Sequence, residues 1–167
     1  MKTVLFVCTG NVFRSFVAEV AFKAHIREQG RTTDFVVGSA GTQAIRQVVP
    51  RQVRELLSEH GVDTRGHIQR LLTRNLAESS DYVIAMSDDH QRFILEHFGR
   101  QVPLFSELSR GYREPIRDLR EAVPNWERYE DSARTYVGQV VERIWEETPA
   151  LIQQIRALSA PRPASAA

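Results

Sequence analysis

Residues 3–7 (TVLFV) form an unbroken apolar run rich in β-branched side chains. A strand with one wet face alternates polar and apolar residues. A continuous run belongs to a strand buried on both faces, which requires helices packed on either side of a mostly parallel sheet. The run ends at Cys8-Thr9-Gly10-Asn11, a cluster that favours a turn. Phe16, Val17, Val20, Ala21 and Ala24 then recur at helical spacing toward a stop at Gly30. The chain therefore opens as strand, tight loop, helix.

The same alternation continues. Residues 35–39 read as a second strand. Pro50 opens a helix carrying Val53, Leu56 and Leu57, and residues 81–86 (DYVIAM) read as a third strand, with Ser87 as N-cap of the helix that follows. Residues 102–105 read as a short fourth strand and residues 106–130 as loop. Tyr136, Val137, Val140, Val141 and Ile144 mark a last helix that Pro149 is expected to interrupt, with Thr148 capping a further short one. These elements describe an α/β domain over residues 1–158, followed by a tail, 159–167, without apolar periodicity and expected to be disordered.

At 167 residues, 42% of them hydrophobic, the chain can bury a substantial core. Twenty-two Lys and Arg against 21 Asp and Glu leave a net charge of +1, so a nucleic-acid partner is not indicated. The first 80 residues carry eleven basic and seven acidic side chains, a bias compatible with binding an anion. The single cysteine, Cys8, excludes an intrachain disulfide and a cysteine-based zinc cluster, and the five histidines lack metal-ligand spacing. No metal, cofactor or membrane partner is expected, and a cytoplasmic location is. No feature sets an oligomeric state.

The loop between the first strand and helix reads Cys8-Thr9-Gly10-Asn11-Val12-Phe13-Arg14-Ser15. A tight loop entering a helix turns successive backbone N–H groups inward and makes a nest for a tetrahedral anion. Gly10 permits positive φ, and Asn11 is the next most tolerant residue type. Arg14 can bring its planar fork over the same cavity. Cys8 then lies at the bottom, where helix dipole, amides and guanidinium all favour the thiolate, and Ser15 can donate to the sulfur. The plainer alternative is a lone cysteine serving as a small core hydrophobe.

Phe6 to Ser15 with Ala18-Glu19, then Ser39-Ala40-Gly41-Thr42, His67-x-x-Arg70 and Asp81-Tyr82-Val83-Ile84-Ala85-Met86, in that order, resemble the motifs of the low-molecular-weight protein tyrosine phosphatase family. The resemblance implies a four-stranded parallel twisted sheet flanked by helices on both faces. It also implies metal-free hydrolysis of phosphomonoesters on a phosphorylated protein or small aryl phosphate, through a phosphocysteine at Cys8. Arg14 and the loop amides would hold the phosphoryl oxygens, with Asn11 and Ser39 supporting the loop.

Against that pattern, Asn125 followed by Trp126 stands where the family's general acid, an Asp commonly followed by Pro, is expected. Asp118, Glu127 or Asp131 would then have to substitute. Without an acid the chain would be slow, or would serve as a phosphate- or phosphopeptide-binding protein. Arsenate reduction with external thiols is a more remote alternative. Phe13 stands where several relatives carry a second cysteine, Phe16 replaces a usual proline, and Phe13, Trp126 and Tyr129 are candidates to wall an aromatic slot.

Overall fold

The structure, a computed structural model, describes residues 1–160. The expected tail lies almost wholly outside the described residues. Three parallel strands, β1 (Lys2–Cys8), β2 (Phe35–Gly41) and β3 (Tyr82–Ala85), are ordered β2-β1-β3. The apolar run is the central strand: Val4 pairs with Val37 on one side and Tyr82 on the other, and Val4 through Cys8 are buried.

Helices cover both faces. One side packs α1 (Arg14–Glu28), α2 (Arg51–Glu59), α5 (Phe105–Arg110) and α7 (Glu130–Ser159) around Phe6, Phe22, Phe105 and Ile144. The other holds α3 (Arg74–Ser79) and α4 (Asp88–Phe98) against Leu5, Val7, Val83 and Ile94. A four-residue helix, α6 (Leu119–Ala122), follows a loop from α5. Among the described residues no helix is long and apolar enough to cross a membrane.

Three expectations are corrected. Residues 102–105 make one parallel bridge, Ala85 to Leu104, instead of a fourth strand. Pro103 has no N–H for a ladder, although its carbonyl accepts the Ala85 amide at 2.9 Å, and α5 begins at Phe105. Residues 106–130 are not all loop, since α5 and α6 lie there. Pro149 does not interrupt α7, which runs through it. Proline leaves the carbonyl four residues earlier without its helical donor. Here that carbonyl belongs to Trp145, and His25 Nε2 on α1 supplies the bond at 3.1 Å. Thr148, the expected cap, instead donates its hydroxyl to the Ile144 carbonyl at 2.6 Å.

The connections leaving β1 and β3 diverge, one to α1 and one to α4, so a crevice opens at their carboxyl ends. Cys8 ends β1 at that crevice.

Candidate active site

Residues 8–15 curl from the end of β1 into α1, with Cys8 and Arg14 each only 2% exposed. The positive φ the loop needs falls on Asn11, at 55°, and not on Gly10. Every polar group of Asn11 is used there. Its N–H donates to Cys8 Sγ at 3.3 Å, and Nδ2 donates to Ser15 Oγ at 3.0 Å and Ser39 Oγ at 2.7 Å. Its Oδ1 accepts the Arg70 amide at 2.9 Å, and its carbonyl accepts from His67 Nε2 at 2.6 Å. A left-handed residue costs on the order of 1 kcal/mol. Five bonds, several of them buried, offset that cost.

Ser15 Oγ lies 2.9 Å from Cys8 Sγ. Ser15 Oγ accepts from Asn11 Nδ2, and its one hydrogen has two acceptors in reach, Cys8 Sγ at 2.9 Å and the Ala40 carbonyl at 3.4 Å. A thiolate, which has no hydrogen of its own, takes it as the nearer and charged one, alongside the Asn11 N–H. Ser39 passes the support outward by donating to Glu19 Oε2 at 2.5 Å. The loop is also tied to the end of β2: Thr42 and Gln43 donate their amides to the carbonyls of Cys8 and Thr9, both at 2.9 Å. Gly41 makes this approach possible, since a Cβ there would sit 2.4 Å from the Thr9 carbonyl oxygen and 2.9 Å from the Asn11 nitrogen. His67, which secures Asn11, is itself stacked on Phe16 with ring centroids 3.7 Å apart. The phenylalanine that replaces proline thus braces the loop from below.

Phe13 is the N-cap residue of α1 and makes no side-chain capping bond. The first amides of a helix have no intrahelical partner, so those following Phe13 are left without one at the loop, with the positive end of the helix dipole behind them. This arrangement suits a tetrahedral anion.

Arg14 returns over the loop. Its Nη1 donates to the Ile116 carbonyl at 2.9 Å, and Nη2 donates to Asp118 Oδ2 at 2.9 Å and to Thr9 Oγ1 at 3.4 Å. Asp118 caps α6 by accepting the Arg120 amide at 3.1 Å and keeps its carboxylate 39% exposed. The segment before it is clamped as well: the Ile116 amide donates to Met86 O at 2.8 Å and Tyr136 donates its hydroxyl to Arg117 O at 2.7 Å. Burial pushes the Tyr136 phenol above its ordinary value near 10, which keeps it a donor.

The structure therefore brings Asp118 to the loop and leaves Asn125 outside it. Asn125 lies exposed in the turn between α6 and α7 at φ 56°, its carbonyl accepting the Arg128 amide. Asp131 is exposed in the first turn of α7, where it complements the helix dipole. Leu119 follows Asp118 where the resemblance calls for proline, so the expected pair of residues is not legible there. A cleft of about 700 Å³ opens beside the loop, lined by Val12, Phe13, Val53, Asp118, Trp126 and Glu127. Phe13 and Trp126 thus share a wall as expected, whereas Tyr129 is exposed and outside it.

Sequence reasoning missed His90. It is 1% exposed on the first turn of α4, accepts the Ser87 amide at Nδ1 (3.1 Å), and lies 2.9 Å from Thr9 Oγ1 through Nε2. The signal was present as Ser87-x-x-His90, a capping-box spacing with histidine in place of Glu or Gln. Burial, then the facing Arg14 guanidinium, push His90 down from 6.5 to about 4, against the pull of Asp89 and Asp118. An unfolded chain takes up this proton near pH 6.5 and the folded one does not until about 4. Stability should therefore fall as pH drops through that window, by up to about 3 kcal/mol. Thermal unfolding from pH 7 to 4 should show a shallower pH slope in His90→Leu than in the parent. Parallel slopes would contradict the assignment.

Comparison with known proteins agrees with this geometry. A sequence model of the low molecular weight phosphotyrosine protein phosphatase family matches residues 3–160. The chain is 34% identical over 122 residues to a protein-arginine-phosphatase of Bacillus subtilis, covering 72% of this chain and 71% of that one. It is 31% identical over 93 residues to the low molecular weight phosphotyrosine protein phosphatase of Rattus norvegicus, covering 54% of this chain and 58% of the rat protein. Among solved structures, a YwlE arginine phosphatase mutant with a phosphorylated active-site serine superposes with a TM-score of 0.78 at 27% identity, covering 92% of this chain and 95% of the other. A buried cysteine, an amide-lined loop and a returning arginine at the end of a central parallel strand are thus found in a chain that belongs to the low molecular weight phosphotyrosine protein phosphatase family of hydrolases.

Proposed function

We propose that the chain hydrolyses protein phosphotyrosine, or a similar aryl phosphate, through a phosphocysteine at Cys8. The observation that carries this reading is the Asp118 carboxylate on Arg14 Nη2, above a loop whose floor is Cys8 Sγ. In the first step the Cys8 thiolate attacks phosphorus, the phosphorus–oxygen bond to the leaving group breaks, and the Asp118 carboxyl gives its proton to that oxygen. Arg14 and the loop amides hold the equatorial oxygens, on which charge spreads. In the second step water attacks the phosphocysteine, Asp118 takes the water's proton, and the phosphorus–sulfur bond breaks to return the thiolate. Two relatives support this chemistry: the rat protein is named a phosphotyrosine phosphatase, and the YwlE structure carries a phosphoryl group on its active-site residue.

Asp118 in this position favours turnover over a non-catalytic phosphate binder, the reading that Asn125 suggested. A chain with one cysteine cannot run an intramolecular thiol relay, which leaves arsenate reduction only the route through external thiols.

A second substrate class, phosphoarginine, is favoured by the identity to the Bacillus subtilis protein-arginine-phosphatase; the cleft offers Glu127 and Glu130 to a guanidinium, alongside Arg120 and Arg134. Peptides of one sequence bearing phosphotyrosine, phosphoarginine or phosphoserine separate the two readings. Phosphate release from phosphotyrosine should exceed that from phosphoserine by at least about 100-fold, given the apolar wall of Phe13 and Trp126. Release confined to phosphoarginine would transfer the assignment to the second class, and release from none would contradict both.

A further inference from the structure

We propose that His90 is a positioning residue that fixes the Thr9 hydroxyl as a hydrogen-bond donor to the phosphoryl group held in the loop. The proposal rests on the loop being a phosphate site, as read above.

The argument begins with the ring of His90. The Ser87 amide donates to Nδ1 at 3.1 Å, so Nδ1 carries no hydrogen and the neutral ring holds its proton on Nε2. Of the two acceptors near Nε2, Thr9 Oγ1 at 2.9 Å is closer than Asp89 Oδ2 at 3.4 Å, so Nε2 donates to Thr9. Arg14 Nη2 donates to the same oxygen at 3.4 Å. A hydroxyl has two lone pairs and one hydrogen. With both lone pairs engaged, Thr9 can act only as a donor through its O–H.

The place of that O–H follows from Arg14. Thr9 Oγ1 and Asp118 Oδ2 share one guanidinium nitrogen, Nη2. Thr9 therefore stands at the edge of Arg14 that Asp118 reaches, over the loop and not behind it. The two hydrogens of Nη2 go to Asp118 and Thr9. An oxygen of a tetrahedral anion that takes the place of Asp118 Oδ2 at Nη2 therefore comes within reach of the Thr9 hydroxyl while the Nη2–Thr9 bond stays in place. The ring that sets this orientation is buried and bonded at both nitrogens, so it has no second rotamer to adopt without losing a bond. It also completes the bracing of the loop. Asn11 ties residues 8–15 to the β2 side of the crevice, and His90 ties them to the β3 side.

The test is inhibition by inorganic phosphate, with an aryl phosphate as reporter and thermal unfolding as a check on folding. Thr9→Val keeps the shape and removes the donor, and should weaken phosphate inhibition by about 10- to 100-fold, the worth of a hydrogen bond to a charged group. Thr9→Ser should recover most of that loss. His90→Leu should weaken phosphate inhibition about 3- to 10-fold in the parent background and not at all when Thr9 is already Val, because it acts through that hydroxyl. Equal phosphate inhibition in Thr9→Val and the parent would overturn the proposal. So would a His90→Leu effect that persists undiminished in the Thr9→Val background. Should His90→Leu fail to fold, the Val and Ser variants of Thr9 still decide whether the donor exists. A parent that binds no phosphate would sink the functional reading and this proposal together, whereas a parent and a Thr9→Val variant that bind it equally sink only the proposal.

Discussion

Cys8→Ser should abolish turnover of an aryl phosphate, by a factor of about 10⁴ or more, while phosphate still binds. The two halves of this expectation have different origins. Turnover needs a nucleophile that is ionised at neutral pH. The sulfur receives the Asn11 amide and the Ser15 hydroxyl, both of which favour an anion. A serine oxygen in its place would hold its proton, and no histidine or carboxylate is bonded to residue 8 to remove it. Binding, in contrast, uses the amides after Phe13 and the guanidinium of Arg14, and neither depends on the sulfur. Steady-state kinetics and calorimetric titration with phosphate check the two separately. A serine variant retaining a tenth of the parent's turnover would contradict the assignment.

Asp118→Asn should slow hydrolysis of aryl phosphates by about 10²–10⁴-fold when the leaving phenol is a poor one, the range for loss of general acid–base help. The effect should shrink toward nothing as the leaving group becomes more acidic, because a good leaving group departs without a proton. That slope is diagnostic, since a substitution that merely disturbed Arg14 would slow all esters alike. Asn125→Asp and Asp131→Asn supply the contrast. Both positions are exposed and unbonded to the loop, so neither change should alter the leaving-group slope. An Asp118→Asn variant with the parent's slope, or an Asn125→Asp variant with a flatter one, would reverse the choice of acid.

What the sequence made legible, and what it hid, has physical causes. The run at residues 3–7 declared a strand buried on both faces because it is short, rich in β-branched side chains and bounded by a turn signal, and it is the central strand. Asn11 was legible because few residue types adopt positive φ in a tight loop. Pro149 misled because the helix-breaking cost assumes an unsatisfied carbonyl, and the donor that satisfies Trp145 comes from His25, 120 residues earlier. Residues 102–105 misled because an apolar run of four cannot say whether neighbours will pair with it. Asp118 was legible only as one of three substitute carboxylates, because Leu119 follows it where the family's proline is expected. Nothing in the spacing of residues 118–136 marks the short helix α6, and only the fold shows that the carboxylate capping that helix is the one that reaches Arg14. His90 was hidden for a related reason: its partner, Thr9, lies 81 residues away across the crevice, a distance that local spacing does not encode.

The central claim is that the sulfur at the floor of the loop is the atom that takes the phosphoryl group. Rapid acid quenching of the parent during turnover of an aryl phosphate, followed by peptide mass analysis, tests it most directly. The account predicts one phosphoryl group on the peptide containing Cys8, formed in a burst and lost on further incubation. Turnover that proceeds with no phosphoryl group on Cys8, or with one on another residue, would contradict it.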